Sequence, residues 1–179
     1  MSALYPIPEG IGAAASTRVS NELGAGNPRL ARFTAFIALS IAVLESITVS
    51  AVLVSSRHVF GYVFSNDKEV VSYVTDMAPL LAVSVILDSL QAVLSGIARG
   101  SGWQDLGAYI NLTAYYLCGV LVAGVLGFWV QMRGKGLWIG IQSDALLQTL
   151  LLSAITSCID WHKQARKARD RLSARAVET

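Results

Sequence analysis

Between Met77 and Ala98 the chain runs for 22 residues with a single charged side chain, Asp88, near the middle. At ~1.5 Å rise per residue such a helix is about 33 Å long, enough to cross the hydrocarbon core of a bilayer. Asp88 then falls roughly 16 Å from the Met77 end, near the midplane, where a charge is most costly. Ser84, Asp88, Gln91 and Ser95 recur at i, i+4, i+7 and i+11, a polar stripe on a surface otherwise rich in Leu, Val and Ile. That pattern fits a helix bundle with the stripe turned inward. Two readings of the acid stay open: a protonation or cation site lining a path through the bundle, or an interhelical hydrogen bond. Intramembrane acids are functional candidates by default.

The rest of the chain repeats the theme. Hydrophobic residues make up 54% of the sequence, charged residues 15%, and the mean hydropathy is +0.53, where a soluble domain carries about 25% charge. Met1 to Ser20 is small, Gly/Ala-rich and mildly apolar, and it reaches Arg18 before a full crossing accumulates. It reads as the second half of a spanning helix. Gly24 and Gly26 supply a helix stop, and Asn27-Pro28 a start with an N-cap and Pro at the first helical position. Complete spans are expected near residues 33–56, 77–98, 106–132 and 137–159, followed by a charged tail at 160–179. Asn66 and Glu69 have N-cap and N3 spacing, so a helix is expected to begin near Asp67 and continue into the Asp88 span. Trp129, Trp138 and Trp161 sit near span ends, where aromatic belts belong. Cys118 and Cys158, each inside an apolar run, read as small packing residues. The start MSALYPIPEG has no basic n-region, so no signal peptide is expected. The fold class is therefore an all-α integral membrane bundle of four full spans and one partial span, with the lipid bilayer as its first partner.

Charge placement orients the bundle. If the spans alternate, ten Lys and Arg side chains fall on the side of the tail and four on the other, which puts the C-terminus in the cytosol. The tail is expected to be a solvated helix that could also touch anionic lipid.

Two further acids lie inside spans, Glu45 and Asp144, and both are expected to make structural pairs; Asp144 has Gln148 at i+4. Asn111, Tyr115 and Cys118 share one face of the uncharged span. Asn111 could hydrogen-bond Asp88 or simply join two helices. Arg99 is expected to snorkel to the interface. Gly96/Gly100 and Gly136/Gly140 have the small-xxx-small spacing that permits close helix contact. Signatures of an enzyme are absent: His58 and His162 lie at span ends on opposite sides, and there is no HExxH, CxxC pair, P-loop, GxSxG or dinucleotide fingerprint. No metal site, cofactor or nucleic-acid partner is expected.

Several strings are more specific. AAASTRVSNELGAGNPRLAR at 13–32, PLLAVSVILDSLQAVLSGIARGSGWQ at 79–104, AYINLTAYYLCG at 108–119 and GKGLWIGI at 134–141 resemble the plant branch of the multidrug and toxic compound extrusion (MATE) transporters. The resemblance implies a twelve-helix protein in two six-helix lobes. Ala13–Asn21 then matches the end of helix eight, and the four spans match helices nine to twelve. It also implies exchange of organic compounds, xenobiotics or secondary metabolites, against protons or sodium, with the acid of helix ten falling on Asp88. The partner acid on helix seven and the N-lobe have no counterpart in these residues, so the chain is expected to be a C-terminal fragment that works with them.

On this reading Asp88 is the proton- or cation-coupling site, with Gln91, Asn111, Ser84 and Tyr115 as its candidate neighbours. A carboxyl group in a low-dielectric bundle resists ionisation and can exchange a proton with water, and alternating access turns competition between proton and substrate into exchange. The plasma membrane and the vacuolar membrane are both open. The rival reading is a truncated, transport-inactive membrane paralogue that acts by association with other membrane proteins.

Overall fold

The structure is a computed structural model that describes residues 6–60, 67–131 and 133–177. The expected cap at Asn66 and the expected span end at Met132 lie outside them. Six helices account for the described chain: α1 (Pro6–Gly24), α2 (Pro28–Ser55), α3 (Lys68–Gly100), α4 (Gln104–Trp129), α5 (Arg133–Cys158) and α6 (Trp161–Val177), with a helical turn at Arg57–Phe60 after α2. The helices α2 to α5 are long and apolar enough to cross a membrane. The protein is an all-α, multi-pass membrane bundle.

Local chemistry explains the boundaries. Gly26 and Gly102 hold positive φ, 78° and 81°, which glycine adopts without strain. Each ends a helix in a Schellman turn: Asn27 N–H donates to Glu22 O at 2.8 Å, and Trp103 N–H to Ala98 O at 2.8 Å. Pro28 opens α2 as expected, but the Asn27 side chain does not cap it; its amide donates to Glu22 instead, at 3.5 Å. Asp67 caps α3 by accepting from Glu69 N–H at 3.0 Å. The helix α3 then runs 33 residues straight through Pro79, about 50 Å at ~1.5 Å per residue, so it extends well beyond one face of the bilayer core.

Packing is organised around α3, which α1, α2 and α5 surround. On α2 a stripe of Ala31, Ala35, Ala38, Ala42, Ser46 and Ser50 is buried, small side chains that let the backbones approach. The contact between α1 and α3 is closer still. A β-carbon on Gly12 would lie 2.7 Å from Ala92 O, and one on Gly100 2.9 Å from Ser16 Cα; one on Gly96 would overlap the Gly12 carbonyl. In the hairpin of α4 and α5, a β-carbon on Gly136 would lie 2.6 Å from the Leu126 carbonyl. Both glycine pairs singled out in the sequence are thus at backbone-to-backbone contacts.

Three features depart from the sequence reading. First, α4 is not a uniform α-helix: Tyr115–Val120 and Val125–Trp129 wind as π-helix. A 3.6-residue periodicity carries no information about i→i+5 bonding. Second, α6 is helical but not solvated all round. Trp161, Gln164 and Ala165 are buried, and Trp161 and Ala165 join Val19, Leu23, Ala31 and Ile97 in one core cluster. Trp161 is therefore a packing residue and not part of an interfacial belt, whereas Trp129 is 84% exposed. Third, Cys158 is exposed and Cys118 half-buried, so Cys158 fills no core space.

The glycine contacts make a direct prediction. Gly96→Ala places a methyl group against backbone that cannot rotate aside, and should destabilise the bundle by about 1–3 kcal/mol. Gly10, which has nothing within 4 Å of a built β-carbon, should accept Ala with no loss. Thermal unfolding of both variants in detergent distinguishes them; equal melting temperatures would contradict the packing described.

Candidate functional site

The polar side chains of the membrane helices converge on α3. Its neighbours hold it at successive turns. Ser50 of α2 donates to Ala82 O at 2.9 Å. Trp138 of α5 donates its indole N–H to Ser84 Oγ at 2.9 Å, while Ser84 donates to Leu80 O at 2.9 Å. Thr149 of α5 reaches Leu87 O at 3.5 Å. Ser89, 1% exposed, donates to the Glu45 carboxylate of α2 at 2.7 Å.

One residue on α5 links three helices. Gln148, 2% exposed, accepts from the Gln91 amide of α3. Its own amide donates to Asp144 Oδ1 at 2.6 Å and to Asn111 Oδ1 of α4 at 3.3 Å. The wide π-helical turn of α4 brings Gly119 beside this network, where a built β-carbon would lie 3.0 Å from Asp144 Cβ. Amide groups suit such a hub because each carries donors and acceptors, and interhelical bonds of this kind contribute on the order of 0.6 kcal/mol each in membranes.

Against this background Asp88 stands apart. It is half-buried on α3, between Leu87 and Ser89, which are both engaged from neighbouring helices. By helical spacing it shares a face with Ser84 and Gln91, whose partners are on α5. Its carboxyl group makes no hydrogen bond or ion pair among the described residues. The two other intramembrane acids are each tied, Glu45 to Ser89 and Asp144 to Gln148.

The residues named beforehand are thus divided by the structure. Ser84 and Gln91 lie on the Asp88 face, but each bonds elsewhere. Asn111 is exposed, and its carboxamide oxygen is engaged by Gln148 and not by the acid. Tyr115 is 49% exposed and packs edge-on against Tyr116, with ring centroids 5.3 Å apart. The hub, Gln148, was visible in the sequence only as the i+4 neighbour of Asp144; its reach to α3 and α4 depends on how three helices are set against each other. Among the described residues no group of three or more His, Cys, Asp or Glu side chains could hold a metal ion.

The chain matches known proteins over nearly its whole length. Residues 1–125 match the MatE family model. Protein DETOXIFICATION 12 of Arabidopsis thaliana is 56% identical over 97% of this chain, and Protein DETOXIFICATION 14 of the same plant is 58% identical over 96%. The chain spans 36% and 35% of the length of these two relatives. The crystal structure of the eukaryotic MATE transporter AtDTX14 superposes with a TM-score of 0.90 at 58% identity, covering 95% of this chain and 38% of that one. A multidrug resistance MATE family transporter in an inward-facing conformation shares the fold at 14% identity, with a TM-score of 0.73 over 84% of this chain.

The hub yields a stability test. Gln148→Leu removes three interhelical or intrahelical bonds and leaves the buried Asp144 carboxyl unpartnered, which should destabilise the bundle by about 1–3 kcal/mol. Adding Asp144→Leu should restore part of that loss, because replacing both partners removes the orphaned acceptor. Melting curves of the single and double variants in detergent check the order; a double variant less stable than Gln148→Leu alone would contradict it.

Proposed function

Because the chain belongs to the MATE family, we propose that it is the working part of one lobe of a secondary antiporter, in which Asp88 couples export of an organic compound to uptake of a proton. The observation that carries this reading is the contrast among the three intramembrane acids: Glu45 and Asp144 are held by neighbours, while Asp88 has no partner among the described residues. An acid with a fixed hydrogen-bond partner is tied to one arrangement. An acid without one is available to a proton or to a cationic group that arrives and leaves.

The chemistry follows from the burial. Ionised Asp88 in a low-dielectric bundle is uncompensated and attracts a cation. Protonation removes that charge and releases the cation. Proton and substrate therefore compete for one carboxyl group, and alternating access makes the competition an exchange. Gln91, three residues on, belongs to the Gln148 network, so a shift of α3 on protonation would be felt by α4 and α5. The substrates are xenobiotics or secondary metabolites, in keeping with the detoxification names of the relatives. The remaining helices of a twelve-helix transporter, helix seven and the N-lobe among them, complete the path. They fit the share of its relatives that this chain spans. The C-terminus faces the cytosol, in keeping with ten basic residues on its side against four, in a plasma or vacuolar membrane.

Asp88→Asn in the complete transporter should abolish efflux of a fluorescent organic cation driven by a pH gradient in proteoliposomes, while insertion and folding persist. Asp144→Asn, which keeps an acceptor for Gln148, should retain pH-driven efflux. Normal transport by Asp88→Asn would refute the coupling role, and a sodium gradient that drives the parent in place of the pH gradient would refute the proton. An immunoblot of native membranes against residues 160–179 should show a product far larger than 19.1 kDa; a band only at that mass would favour the non-transporting paralogue.

A further inference from the structure

At the end of the bundle where α3 gives way to α4, α6 closes one side of a cleft of about 380 Å³. Its charged lining comes from distant parts of the chain: Arg99 in the last turn of α3, Asp105 in the first turn of α4, and Lys167 and Arg171 on α6. Arg171 reaches across to the turn between α3 and α4, its guanidinium 3.5 Å from where a β-carbon on Gly102 would lie. Three cations thus face one acid, and none of the three makes an ion pair among the described residues.

A charged rim is most simply a solvated one, or a set of cations placed to offset the carbonyl ends of α1 and α3. Neither account is sufficient. None of the three cations donates to a backbone carbonyl among the described residues. The cleft also holds a neutral amide with no partner among the described residues. Gln164 is 8% exposed, lines the cleft, and its carboxamide makes no hydrogen bond among the described residues. The indole N–H of Trp103, which lines the adjoining space together with Gln164, Lys167 and Arg171, is buried and has no partner among the described residues. Buried donors are normally satisfied, and here one of them, the Trp103 indole N–H, lies beside three exposed cations that outnumber the one acid in the lining. Such a set calls for a compact anion with several acceptor oxygens.

We propose that this cleft binds the phosphate of an anionic membrane lipid headgroup, held by Arg99, Lys167 and Arg171 and completed by the Gln164 amide and the Trp103 indole. Phosphate matches the fork of an arginine and the point charge of a lysine. The depth selects the lipid source: the cleft lies where the membrane-capable helix α3 ends and α4 begins, and the apolar side chain of Leu106 lines the same space as Trp103. Basic pockets between spans on the cytoplasmic side are suited to such headgroups. The site is independent of Asp88 and of transport.

Native mass spectrometry of the whole chain in a non-ionic detergent tests it, with dioctanoyl phosphatidic acid, dioctanoyl phosphatidylcholine and inorganic phosphate as probes. Phosphatidic acid should be retained in preference to phosphatidylcholine. The pair Lys167→Ala and Arg171→Ala should weaken that retention about 30-fold, given similar contributions from each basic residue. Lys163→Ala with Arg166→Ala, on the same helix but outside the cleft, should change it little. Equal retention of the two lipids, or an equal loss in the control pair, would overturn the site. Inorganic phosphate displacing phosphatidic acid at equal concentration would overturn the lipid as its occupant. Should the charge variants fail to fold, Gln164→Leu keeps every charge and should still reduce retention about threefold; no reduction would overturn the proposal.

Discussion

The bundle depends on two helices touching backbone to backbone. Along α1 and α3, Gly12, Gly96 and Gly100 leave no room for even a methyl group, and this contact sets the position of α3 in the protein. In a membrane there is little hydrophobic drive between spans, because lipid is as apolar as leucine. Close packing must supply the attraction instead, and dispersion falls off steeply with any gap. Small residues at the contact are thus a requirement of the solvent. The alanine and serine stripe of α2 and the second glycine pair, between α4 and α5, solve the same problem twice more.

Close approach then makes polar side chains meet. Ser50, Glu45, Trp138, Gln148 and Thr149 all reach α3 by hydrogen-bonding side chains from α2 and α5. These cross-links leave Asp88 as the intramembrane acid that nothing among the described residues neutralises. Two acids are held and a third has no partner among the described residues, and the difference is a matter of which neighbour has a donor at the right height.

The C-terminal helix shows how amphipathic patterning is read differently by different surroundings. Its many cations make it look like a solvated tail, yet Trp161, Gln164 and Ala165 are spaced along one face and dock on α1 and α2. The charges that remain are gathered at one end of the bundle. There they border both exposed water and a cleft, beside which the Trp103 indole N–H has no partner among the described residues.

By itself the sequence determined the class of the fold and much of its punctuation. Apolar runs of bilayer length read as spanning helices, the glycines at 24 and 26 stop α1, Pro28 opens α2, and α3 begins near Asp67; all of these act within a few residues of themselves. The positions of Asp88, Glu45, Asp144 and the glycine pairs were equally legible, as was the pairing of Asp144 with Gln148 one turn later. What only the tertiary structure decided is which of these groups meet. Asn111 engages Gln148 and not Asp88, Trp161 is core and not belt, and α4 unwinds into π-helical turns, because each depends on the height and rotation of one helix against another. Those two quantities follow from side-chain volumes at the contacts, summed over several helices at once, and no single helical period encodes them.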